Sequence, residues 1–210
     1  MTLKLDWYAY EAPAVVRGNR LFRHRALLDI ERNTAVVMIA QGPPRAWQRT
    51  LEAGVGGICE AMEAGETDAE PILAAAAARI RAADAALVDD NVIQAHATAV
   101  SVRDDRASVA SAGSCRAYLA RGDEHRRISG TSDAKGLRNA YSFASSTEAL
   151  APGDVVIIGP SHLFNVAGVA WLARVLHDQP VATTRHIARG LLSASGASGT
   201  GGSVIVLRTE

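Results

Sequence analysis

Apolar and polar positions change period several times along the chain. Leu3-Lys4-Leu5-Asp6-Trp7 alternates with period two, the mark of a strand with one face buried. Residues 34–40 (TAVVMIA) form a continuous, β-branched apolar run, which predicts a strand buried on both faces. Gln41-Gly42-Pro43-Pro44 stops that strand, because proline donates no ladder hydrogen bond. Two helices are predicted next. The first spans roughly 46–64 and is weakened by Gly54, Gly56 and Gly57. The second spans about 68–88, with Asp68 as N-cap, Glu70 at the positive end of the dipole and Pro71 in the first turn. Ile72, Ala76, Ile80, Ala83 and Leu87 fall on one stripe, so this helix packs one face on a core.

The period then returns to two. Residues 95–102, 107–112 and 116–120 read as three consecutive strands. Asp104-Asp105 and Gly113 are turn signals between them, which predicts a meander of antiparallel hairpins. Residues 129–147 are rich in Ser, Gly and Asn and read as an irregular loop. Pro152-Gly153-Asp154 is a turn feeding a buried strand at 155–158. Helices are expected at 166–177 and 182–192, a flexible Gly/Ser tract at 193–202 and a last strand at 203–208. With neither an internal repeat nor an interdomain linker, residues 1–210 are expected to form a single domain. Strands grouped apart from helices indicate an α+β fold rather than alternating βαβ units.

Composition narrows the function classes. With 48% hydrophobic and 21% charged residues, the chain is not a disordered one. Lys plus Arg and Asp plus Glu both number 22, so no global field draws in nucleic acid or an anionic membrane. No apolar run approaches the roughly 20 residues of a membrane helix, and residues 1–20 lack the apolar core of a signal peptide. Cys59 and Cys115 are too few for a disulfide scaffold and have no zinc spacing. The expectation is a soluble cytoplasmic protein with no nucleic-acid or membrane partner.

Several segments resemble one family. Ala97-Thr98-Ala99-Val100 is followed by 109–122 (VASAGSCRAYLARG), which looks like an A-N-x-G-D-S-R-A-Y-L-x-R-x-G hairpin. Residues 150–163 (LAPGDVVIIGPSHL) look like an L-x-P-G-D strand leading into S-D-G-L. The Gly/Ser tract before Ser203-Val204-Ile205-Val206 is similar to a G-R-D-N-x-T-V-V-V ending. Order and spacing together resemble the PPM-type, metal-dependent Ser/Thr protein phosphatases (type 2C). The resemblance implies a β-sandwich flanked by helices on both sides, with a two-metal centre at one end. There, carboxylate-bridged Mn²⁺ or Mg²⁺ would activate water for in-line attack on phosphate.

The acids that this resemblance calls for are replaced at the matching positions. R-x-x-x-E-D aligns with Arg20-Leu21-Phe22-Arg23-His24-Arg25, so His24 and Arg25 stand where two acids belong. The bridging Asp of D-G-x-G-G aligns with Gln41, the Asp of G-D-S-R with Ser114, and the Asp of D-N with Thr200. The Asp of S-D-G-L aligns with Ser161, or with His162 if the register slips by one. Neutral amide and hydroxyl groups are weak ligands for hard cations, and a nearby guanidinium repels them. The resemblance therefore implies a pseudophosphatase without a metal cofactor. It would act as a regulatory module that binds a phosphoprotein, or beside a kinase or phosphatase partner in signalling. Arg20, Arg25 and Arg116 are its phosphate-binding candidates, since guanidinium grips phosphate oxygens in bidentate fashion. The alternative is a divergent phosphatase, dependent on Mn²⁺ or Mg²⁺, that recruits other acids such as Asp133, Asp29 or Glu31.

Plainer readings stand beside these. Arg17, Arg20, Arg23 and Arg25 also suit the solvated face of an edge strand. His24 and His162 suit either a re-tooled transition-metal site or ordinary hydrogen-bonded histidines, while His96, His125, His177 and His186 have no ligand spacing. Cys115 beside Arg116 has a route to a lowered thiol pKa, against the plainer case of a small buried residue. Ser161-His162 is not a dyad, because neighbours in an extended segment face opposite ways. Residues 196–202 (GASGTGG) lack the Lys of a phosphate loop. Trp7, Trp47 and Trp171 are expected in or at the edge of the core.

Overall fold

A computed structural model describes residues 3–11, 15–17, 20–42, 47–84, 94–122, 124–130, 136–179, 181–196 and 202–210. Two antiparallel sheets face each other, with two helices on each outer surface. Sheet I has the order β1-β11-β10-β7-β8, built from Leu5–Tyr10, Val204–Thr209, Val155–Pro160, Cys115–Arg121 and Glu124–Arg127. Sheet II has the order β2-β3-β4-β5-β6-β9, built from Val15–Arg17, Arg20–Asp29, Thr34–Gly42, Gln94–Arg103, Arg106–Ala112 and Ala144–Ala149. Helices α1 (Trp47–Glu63) and α2 (Ala69–Asp84) cover sheet II, while α3 (Val166–Asp178) and α4 (Thr184–Ala194) cover sheet I. The architecture is α+β with helices on both sides, as expected. Among the described residues no helix is long and apolar enough to cross a membrane.

Three apolar layers follow from the strand pleat. Val36, Met38 and Ala40 of β4 face α1 and α2, while Ala35, Val37 and Ile39 face the other sheet. Val156 and Ile158 of β10 likewise face the sandwich interior, and Val155 and Ile157 face α3 and α4. This explains the unbroken apolar runs: β4 and β10 are central strands with both faces covered. Ile72, Ala76 and Ile80 of α2 are fully buried, so the predicted stripe is the face that packs. Each fully buried Ile or Leu stabilises the fold by about 1.5–3 kcal/mol.

Four expectations change. First, the three strands at 95–120 are not one meander. β5 and β6 pair as a hairpin, but β7 pairs with β10 and β8 in the other sheet. Gly113 makes the crossing at φ 81, and a Cβ there would lie 1.8 Å from His96 Nδ1, so only glycine fits. Second, the 129–147 stretch ends in β9, which pairs with β6. Third, β3 is a ten-residue strand partnered by β2 along Arg20 to Phe22. Beyond that, Glu11 takes over part of the edge: its Oε2 accepts the Ala26 N–H at 3.2 Å. Fourth, Gly54 and Gly57 have a packing role that the sequence did not show: they let α1 approach its neighbours. A Cβ would lie 2.4 Å from Met38 Cε at Gly54, and 2.6 Å from the Ala75 carbonyl oxygen at Gly57. The last part of the predicted α2, with Leu87, and most of the Gly/Ser tract lie outside the described residues.

Candidate functional site

Strand register gathers most of the described positions singled out by sequence at one end of the sandwich. Gln41 pairs with Phe22 and Gln94 at the end of β4. His24 and His96 flank Ile39 across three adjacent strands. The Gly113 turn enters β7 at the same end, and Cys115 pairs with Pro160 of β10. The Ser161 N–H then donates to the Ser114 carbonyl at 2.8 Å, which fastens the two turns together. Ser114, Ser161, His24 and the Gln41 backbone thus meet at one pole. Ser114 is half-buried, Ser161 and His162 are exposed, and Thr200 lies outside the described residues.

His24 is 2% exposed and faces the sandwich interior with Ala26 and Leu28. Burial, and then the charge of His162, lower its pKa to about 4, so its imidazole is neutral at pH 7. His96 is shifted the same way by burial and then by Arg116. Among the described residues, His24 Nδ1, His96 Nδ1, Thr98 Oγ1 and Ser111 Oγ are buried without a hydrogen-bond partner. Thr98 and Ser111 sit directly opposite each other on β5 and β6. Cys115 is no nucleophile here. Burial pushes its thiol up to about 12 despite Arg116, and Sγ donates to the His96 carbonyl at 3.5 Å.

Arg25 and Arg116 do not share a pocket. Arg25 faces the opposite way from His24. It lines a cleft with Arg23, Gln48, Leu51, Glu52 and Val55 between β3 and α1. Its Nη1 donates to Glu11 Oε1 at 2.8 Å. Arg116 stands on the outer side of sheet I, since its neighbours Cys115 and Ala117 fill the interior. Its Nη1 donates to the carbonyls of Gly113 and of Cys115, the latter at 2.8 Å. The whole sandwich separates Arg25 from Arg116. For Arg20 only the backbone is described, in β3 opposite Arg17.

The donors that the described residues bring to this pole do not fit a pair of hard divalent cations. Such ions need several oxygen ligands, carboxylates above all. The pole offers a neutral imidazole, hydroxyl groups and a nearby guanidinium. Among the described residues no group of three or more His, Cys, Asp or Glu is arranged to hold a metal ion. Asp29 and Glu31 sit at the β3–β4 turn, where Asp29 binds Arg32 at 2.7 Å. That turn is about 17 Å along the strand from His24, so neither acid reaches the pole. Asp133 lies outside the described residues. A cleft of about 830 Å³ lies at the far end, between the start of α2 and the outer face of β5, β6 and β9.

No protein-family model matches the chain, and no curated protein matches it. Solved structures do. PppA, a key regulatory component of T6SS in Pseudomonas aeruginosa, superposes with TM-score 0.72 over 100% of this chain and 99% of that one, at 16% identity. The catalytic domain of the serine threonine protein phosphatase PstP, in complex with two manganese ions, gives TM-score 0.72 over 99% and 98% at 14% identity. An S. agalactiae serine/threonine phosphatase gives 0.70 over 99% and 100% at 14% identity. At such identities the likeness is one of fold.

Proposed function

We propose that this chain, which has the fold of the PPM-type Ser/Thr phosphatases, is a pseudophosphatase: a regulatory module that binds phosphorylated protein without hydrolysing it. The supporting observation is the chemistry of the pole where Ser114 and Ser161 meet. Hydrolysis by a two-cation centre needs carboxylates to bridge and balance the ions while they activate water. His24, neutral and turned inward, and two serine hydroxyls supply none of that charge. What the pole does supply is positive charge, from Arg116, in the form that recognises phosphate oxygens. The partner class is a phosphoprotein, or a kinase or phosphatase acting on it. A regulatory role has a precedent in the fold, since PppA is described as a regulatory component.

The test is turnover of p-nitrophenyl phosphate and of a phosphoserine peptide with and without Mn²⁺. Rates equal to the metal-free background are expected. Mn²⁺-dependent hydrolysis that disappears in His24→Ala or Ser114→Ala would overturn the proposal in favour of a divergent phosphatase with recruited acids.

A further inference from the structure

Two arginines beside the Ser114 turn have no carboxylate partner among the described residues, unlike several others of the chain. Arg25, Arg32, Arg79, Arg121 and Arg126 pair with Glu11, Asp29, Glu60, Asp154 and Glu148. Arg116 and Arg127 form no such pair among the described residues. Tyr118 on β7 and Arg127 on β8 are cross-strand partners, and Arg116 lies two residues before Tyr118 on the same outer face. The Arg127 side chain runs back towards Arg116. Its Nε donates to Ser129 Oγ at 3.1 Å and its Nη2 to the Gly130 carbonyl. Ser129 is itself held beside β7, its N–H donating to the Ala117 carbonyl at 3.2 Å. The two guanidinium groups are close enough that Arg116, after burial, lowers the pKa of Arg127.

Backbone carbonyls, and for Arg127 also the Ser129 hydroxyl, hold the two guanidinium groups, and none of these acceptors carries a charge that would neutralise them. Each group has five N–H donors. Arg116 spends the two on Nη1, and Arg127 spends Nε and one on Nη2. The remaining three on each have no acceptor among the described residues. Two half-buried like charges side by side repel, and that cost is relieved by an anion of charge two. Tyr118 stacks on Phe164 at 4.2 Å between ring centroids, giving a rigid wall on the same face.

We propose that Arg116 and Arg127 form a binding site for a phosphomonoester dianion on the outer face of β7 and β8, next to the Ser114–Ser161 contact. The site deepens the phosphoprotein-binding function and rests on it for the choice of ligand. Two guanidinium groups match the charge of a phosphomonoester and grip its oxygens bidentately, which a single carboxylate ligand would not need.

The test is calorimetric titration of the folded chain with a phosphoserine peptide, its unphosphorylated form and inorganic phosphate. Arg127→Met is expected to weaken phosphopeptide binding at least 10-fold, and Arg127→Lys to recover part of that loss, because charge returns without the fork. Arg79→Met, on the helices over sheet II, is the control and leaves binding unchanged. Thermal melts of each variant separate loss of binding from loss of fold. Phosphopeptide binding that survives Arg127→Met at full strength overturns this site but leaves the phosphoprotein-binding function standing. Inorganic phosphate held through Arg127, with no phosphopeptide binding, upholds the anion site and overturns the phosphoprotein function. Equal binding of the unphosphorylated peptide overturns both.

Discussion

At the scale of single residues, His24 is a titratable group whose protonation the fold opposes. Its folded pKa of about 4 lies below the ordinary value of 6.5. Above pH 6.5 both folded and unfolded forms are neutral and His24 has no effect on stability. As the pH falls from there towards 4, the unfolded chain takes up the proton first, so stability drops. The slope is about 1.4 kcal/mol per pH unit, or about 2 kcal/mol by pH 5. His96 is shifted the same way and adds to the loss. Urea unfolding at pH 7 and pH 5 checks this: His24→Leu is expected to flatten the pH dependence, and a variant with the wild-type slope would contradict it. Asp154 carries a second prediction at this scale. It is 1% exposed and accepts two bonds from Arg121, at 2.8 and 2.7 Å, and the Ala151 N–H at 2.8 Å. Asp154→Ala leaves a backbone donor unpaired and is expected to cost about 2 kcal/mol. Arg121→Ala leaves that buried carboxylate with the Ala151 N–H but without its compensating charge, and is expected to cost about 3 kcal/mol. A loss well below that of Asp154→Ala in chemical denaturation would contradict this.

At the scale of elements, α1 carries a paired prediction. Nothing lies within 4 Å of a Cβ placed on Gly56, so Gly56→Ala is expected to stabilise by about 0.5–1 kcal/mol. A Cβ on Gly57 meets the Ala75 backbone, so Gly57→Ala is expected to destabilise by about 1–3 kcal/mol. Thermal denaturation of the two variants should therefore shift in opposite directions. Propensity alone treats the two glycines alike, because the helix that crosses at Gly57 is not visible from the α1 sequence. The same limit explains which strands were legible. β4 and β10 announce themselves because both faces are buried. β8 (EHRR) and β9 (ASSTEA) are outer strands with almost no apolar alternation, so only their neighbours reveal them. The break of the 95–120 strands into two sheets depends on Gly113 and the ring of His96, which are 17 residues apart in sequence.

At the scale of the whole molecule, the layered α+β plan and the pole of the sandwich were readable from motif order, because turns such as Pro152-Gly153-Asp154 and the Gly113 crossing keep recognisable residues. The face on which each arginine stands was not readable. Arg25 and His24 are neighbours in sequence, yet the pleat sends one to α1 and the other to the interior. Arg127 belongs to no motif and becomes notable only when β8 sets it beside Arg116. The result is a phosphatase-like scaffold whose described pole residues carry imidazole, hydroxyl and guanidinium groups. Its most direct test is a titration of the protein with Mn²⁺, following the paramagnetic resonance of the free ion. The free signal should rise in proportion from the first addition, as in buffer alone. Uptake of two equivalents per chain before any free ion appears would contradict the proposed absence of a two-metal centre.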